Sequence, residues 1–145
     1  MRSEISMFKN RRGTSLILAI MILAASGLMA ALLLKMVYNN WVVASLNLQK
    51  EQAFYLSEAG LEMGKKQLAK NLNWYTDLPH SEDDASWLLD SAVGEEYRFG
   101  EGSYKLIREN GKDHLYCVGK KGKATTILRL SFSTSPLKWF SWKEI

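Results

Sequence analysis

Ser103, Asp113 and His114 are the residue types of a nucleophile, an acid and a base, and hydrolysis is the chemistry that such a set performs. Their spacing argues against it. Asp113 and His114 are adjacent in a stretch with strand character, which turns their side chains to opposite faces, and no nucleophile-elbow glycines surround any serine. His80 and His114 lie far apart with no carboxylate or cysteine at ligand spacing, so neither a metal nor a cofactor is expected. Cys117 is the single cysteine, which excludes an intrachain disulfide and a multi-cysteine metal site, and it reads as a buried strand residue. An enzyme is not expected.

The formal charge of +4 would suit a nucleic-acid partner if it were spread over a folded surface. It is concentrated instead. Arg2, Lys9, Arg11 and Arg12 against Glu4 give residues 1–13 a net +3, which leaves +1 for the rest of the chain. No nucleic acid is therefore expected as a direct partner, and the cluster Lys120, Lys121 and Lys123 reads as a solvated hairpin turn.

What positions any function is the segment after those charges. Thr14 to Leu34 runs about 21 residues without a charge, which at about 1.5 Å per residue matches a hydrocarbon core of about 30 Å. With Lys9, Arg11 and Arg12 just before it, the positive-inside rule places that end in the cytoplasm and the chain beyond Lys35 on the far side of the membrane. Three fates compete for the segment: a cleaved secretory signal with Ala25-Ser26-Gly27 as its site, a plain signal anchor, and a leader cut on the cytoplasmic face. Helix-forming sequence continues far beyond Gly27, which disfavours the first. Within the span, Ser26 with Ala30 and Gly27 with Ala31 form small-xxx-small pairs that let membrane helices approach closely.

Residues 36–74 contain no proline, and Phe54, Leu61, Leu68 and Leu72 recur as an apolar stripe with Ser57 and Gly64 between them. A helix from about Thr14 to about Leu72 is predicted, its stripe packed on a sheet. Residues 73–102 read as a loop with one short helix starting at Asp83 or Asp84. Strand patterns follow over Ser103 to Glu109, His114 to Val118 and Thr125 to Phe132. Asn110-Gly111 joins the first pair, and Gly119-Lys120-Lys121-Gly122 joins the second. One apolar sheet face is expected, in an antiparallel meander of three or four strands that makes the domain α+β. The tail after Ser135 carries Trp139, Phe140 and Trp142, rings that either dock on the domain or meet a neighbour.

Lys-Asn-Arg-Arg-Gly-Thr at residues 9–14 resembles the junction cut by prepilin peptidases, and Gln52-Ala53-Phe54-Tyr55-Leu56-Ser57-Glu58-Ala59-Gly60-Leu61-Glu62 resembles a stretch typical of PilX-type minor pilins. The resemblance to type IV pilin-like proteins covers most of the chain. It implies a leader, residues 1–13, removed after Gly13 so that Thr14 becomes a methylated N-terminus; a filament-core and membrane helix, 14–34; an exported amphipathic half-helix, 35–72; an αβ-loop, 73–102; and a β-meander with its tail, 103–145. It further implies other pilin or pseudopilin subunits, prepilin peptidase, an inner-membrane assembly platform and membrane lipid as partners.

Two positions depart from the family pattern. Most type IV pilins carry glutamate at the fifth mature position, where this chain has Leu18, and Thr14 replaces the usual aromatic or methionine. A carboxylate at membrane depth costs about 2.5–3.5 kcal/mol and is kept where a partner exists, so its absence fits a minor, tip-proximal subunit in assembly, adhesion or motility better than a major pilin. The alternatives are a minor pseudopilin of type II secretion, and a bitopic membrane protein with an extracytoplasmic binding domain. The GspK-like pseudopilins also lack the acid, but their large inserted domain has no room here.

Overall fold

The computed structural model describes residues 4–80 and 85–145, with side chains from Gly13 onward. The order of elements is α1 (Glu4–Lys70), α2 (Trp87–Asp90), β1 (Glu95–Phe99), β2 (Gly102–Arg108), β3 (His114–Lys121), β4 (Ala124–Thr134) and β5 (Leu137–Glu144). The chain divides into two compact units, Met1–Ala44 and Ser45–Ile145. The first is the leading part of α1. The second is an α+β domain in which the remainder of α1 packs on a five-stranded antiparallel sheet of order β1-β2-β3-β4-β5.

The helix stops at Lys70, where Asn71 begins a turn and its side-chain oxygen accepts from the Asn73 amide (3.0 Å). Leu72 therefore lies past the helix and is 43% exposed, which removes it from the predicted stripe. Arg108 takes over the carbonyls that follow. Its guanidinium donates to Leu72 O (2.7 Å) and to Trp74 O and lies over the Phe132 ring, so the end of the helix is held by β2.

The predicted strands are present, and two more join them. β1 falls inside the segment read as a loop, and the aromatic tail docks as β5. Between Leu130↔Trp142 and Phe132↔Trp139 the register shifts at a β-bulge, which lets two tryptophans three positions apart share one sheet face. There Trp142 meets Phe54 and Trp139 meets Phe132. The Asn110-Gly111 turn is observed, with Gly111 at φ 76°. The next turn falls later than predicted, at Gly122-Lys123, because Gly119, Lys120 and Lys121 continue β3 and Gly122 supplies the positive φ of 57°. Lys121 pairs with Glu101 (3.0 Å), and Lys120 and Lys123 are exposed.

Both faces of the sheet are apolar, not one. Leu106, Leu115, Cys117, Leu128, Leu130 and Phe132 pack with Leu61 and Leu68 of α1. Ile107, Tyr116, Val118 and Ile127 face the other way and are covered by Trp87, Leu88 and Ala92. The expected helix start at Asp83 or Asp84 lies outside the described residues, and α2 begins at Trp87. Asp77 fastens this cover: its carboxylate accepts from the Val93 (2.6 Å) and Gly94 (3.0 Å) amides, while its backbone N donates to Arg108 O (3.0 Å). Glu109, 1% exposed, accepts from the His80 amide and from Lys112 Nζ (2.9 Å). His80 stacks on Trp87 with ring centroids 4.7 Å apart.

Candidate functional site: the apolar helix and its seam with the sheet

From Gly13 to Trp41 every described side chain of the leading unit is exposed, and from Leu16 to Leu34 all but Ser26 and Gly27 are apolar. The unit's most hydrophobic window is 0% buried, and it is long and apolar enough to cross a membrane. Leu18 is 61% exposed. Gly13 lies within α1 and a Cβ placed on it would meet nothing within 4 Å, as is also true of Gly27. The Ser26 hydroxyl donates to Leu23 O (3.0 Å), so the helix itself satisfies the polar atom of the Ser26–Ala30 pair. Gly27, Ala30 and Ala31 are exposed. The side chains of Lys9, Arg11 and Arg12 lie outside the described residues; Thr14 is exposed.

In the folded unit the contact between helix and sheet is made by small residues as much as by leucines. Leu61 and Leu68 are buried as the stripe predicts, and Phe54 is half-buried. Ala53, Ser57, Gly60 and Gly64, spaced by four, three and four, bring the helix backbone onto the strands. A Cβ on Gly60 would strike Cys117 Sγ and approach Tyr104 Cδ2 at 2.7 Å, and one on Gly64 would stand 2.5 Å from Leu115 Cδ2. Across from them Gly119 has no room for a side chain either, since its Cβ would collide with Ala53 O and come within 2.9 Å of Ser57 N. The Ser57 hydroxyl reaches both Ala53 O and Thr126 O at 3.0 Å, a buried cross-link between helix and β4. Ala53, Gly60 and Gly119 were not singled out from sequence. The four-three-four spacing of small residues was the available signal.

Gly119→Ala is expected to destabilise the domain by about 1–3 kcal/mol, because the colliding atoms are helix backbone and cannot turn aside as a rotamer would. Gly111→Ala, where a Cβ meets nothing, supplies the contrast of a purely conformational cost. Thermal unfolding followed by near-UV circular dichroism would check both, and a melting temperature for Gly119→Ala equal to wild type would refute the seam.

Cys117 is fully buried beneath Gly60, and burial pushes its thiol well above the ordinary value near 9. In the unfolded chain the thiol ionises at that ordinary value, while the folded chain keeps it protonated. The stability this confers is whole below pH 9 and falls as the pH rises beyond it. Chemical denaturation at stepped alkaline pH should show a loss that is smaller in Cys117→Ala, and native protein should resist maleimide.

The remaining candidates are kept apart. Ser103 is the second residue of β2, opposite Lys120, whereas Asp113 and His114 lie beyond the other end of that strand, and His114 Nδ1 is 3.1 Å from Ser131 Oγ. No family model, curated protein or solved structure matches the chain. Beside α1 runs an open, largely apolar groove of about 620 Å³, bordered by Tyr55, Leu56 and Ala59 of the helix and Phe99 and Tyr104 of the β1–β2 hairpin.

Proposed function

We propose that the protein is a minor pilin-like structural subunit, anchored by Thr14–Leu34, cut after Gly13 by a prepilin peptidase and assembled with other pilin or pseudopilin subunits on an inner-membrane platform. The observation that carries this reading is one helix, Glu4–Lys70, whose bare apolar part is followed without a break by a part built to seat on a sheet. An ordinary signal anchor has no need of that continuity. The charges of Lys9, Arg11 and Arg12 favour a cytoplasmic N-terminus, and Leu18 in place of glutamate favours a minor position near a filament tip over a major pilin. A minor pseudopilin of type II secretion would share the continuous helix and the leader charges, and cross-linking to pilus or pseudopilus subunits separates the two.

The apolar groove beside Tyr55 and Phe99 favours a second reading, a bitopic protein whose far-side domain binds a partner. N-terminal sequencing of chain extracted from membranes of cells carrying a prepilin peptidase distinguishes them. A start at Thr14 is expected. A start at Met1 would overturn the pilin reading in favour of the bitopic one, and a start near Gly27 would indicate a cleaved secretory signal.

A further inference from the structure

Between Gly13 and Lys50 the sequence carries one charge, Lys35. Tyr38 follows at three residues and Trp41 at three more, 64% and 67% exposed, with Asn39 and Asn40 between them. On a helix this spacing makes successive residues neighbours along one side. All three side chains have an apolar body and a polar end, the chemistry that settles between hydrocarbon and water.

The distances agree with that placement. If Thr14–Leu34 fills the hydrocarbon, α1 carries Lys35 about 1.5 Å, Tyr38 about 6 Å and Trp41 about 10 Å past its edge. The interfacial layer on each side of a bilayer is about 5–8 Å thick. Helical side chains lean toward the N-terminus, which lowers the Trp41 ring by a few ångströms, back into that layer. The Lys35 stem leans the same way, into hydrocarbon, and must bend outward to bring its ammonium to phosphate.

We infer that Lys35, Tyr38 and Trp41 form an interfacial clamp on lipid headgroups that fixes where α1 leaves the bilayer. Lys35 stops the helix from sliding inward, and the two rings resist its being drawn outward. The clamp rests on the reading of Thr14–Leu34 as a membrane span, and its test separates the two.

The full chain is reconstituted in vesicles of phosphatidylcholine and phosphatidylglycerol whose acyl chains carry bromine either near the headgroup or near the terminal methyl. Subtracting the emission of Trp41→Phe from that of wild type isolates Trp41 from the other four tryptophans. Its quenching should be at least about twofold stronger with shallow bromine than with deep. In Lys35→Leu, which leaves residues 14–49 uncharged, the same measurement should move toward the deep quencher. Equal quenching at both depths, or none, in chain that resists an alkaline carbonate wash would overturn the clamp while leaving the span intact. An unchanged profile in Lys35→Leu would remove the lysine from it. Release of wild-type chain by the wash would overturn the span and the clamp together.

Discussion

Leu61→Asp is expected to unfold the α+β domain while leaving the candidate membrane span, Thr14–Leu34, intact. Leu61 is 3% exposed and packs in the cluster that includes Leu68, Leu106, Leu115 and Cys117. Truncating a leucine at such a site costs about 2–5 kcal/mol, and a carboxylate left there without a partner costs several more. A small domain holds about 5–15 kcal/mol in total. The substitution therefore removes most or all of its stability. Thr14–Leu34 makes no contribution to that core, so resistance to alkaline extraction should persist. Limited proteolysis reads the outcome, with Leu72→Asp as comparison: at 43% exposure it should stay within about 0.5–1 kcal/mol of wild type. Wild-type protease resistance in Leu61→Asp would place the stripe in solvent and refute the packing.

If the chain is cut after Gly13 as proposed, Gly13→Val should abolish that cut in cells that carry a prepilin peptidase. A protease must bring its catalytic groups against the backbone of the scissile bond, and glycine leaves that approach open where a branched side chain obstructs it. The structure makes the experiment clean, because Gly13 lies in a helix with no positive φ and a Cβ there touches nothing. Loss of cleavage would then report on the peptidase and not on a distorted fold. Precursor and product differ by about 1.5 kDa, from about 110 Da for each leader residue, which whole-protein mass spectrometry resolves easily. Unchanged processing of the variant would sink the leader assignment.

How much of this was legible in the sequence depended on how strongly each segment repeats. The long helix was plain, since an uncharged run and a proline-free periodic stretch both point to it. Asn110-Gly111 and the runs around Leu106, Cys117 and Leu128 gave the inner strands. β1 was missed because Glu-Glu-Tyr-Arg-Phe is short, charged and half-exposed, as an edge strand can be, and offers little alternation to read. The second apolar face was missed for the opposite reason. Leu115-Tyr116-Cys117-Val118 is buried throughout, and a strand covered on both sides shows a continuous run in place of an alternating one. Leu72 had the right spacing but came two residues after the helix ended, a boundary set by Asn71 and Arg108, which periodicity does not see. For the candidate site, the candidate span and the charges before it were visible directly. The seam was only partly so, because Gly60 and Gly119 matter through the backbone of a partner far away in sequence.

The meander pairs every strand with its neighbour in the chain, β1 with β2 through to β4 with β5, whereas the helix is tied to it by contacts such as Ser57 to Thr126 and Gln49 to Lys123, 69 and 74 positions apart. Closing a short hairpin loop loses less entropy than closing one of that length. On that ground the sheet is expected to zip up locally, and the helix to seat last on a surface already formed. Contacts that form late are absent from the folding transition state, so damage to the seam should be felt as faster unfolding with the folding rate nearly unchanged. Ser57, Gly60 and Gly119 would on this account govern how long the domain stays shut once folded, a matter of lifetime more than of assembly speed.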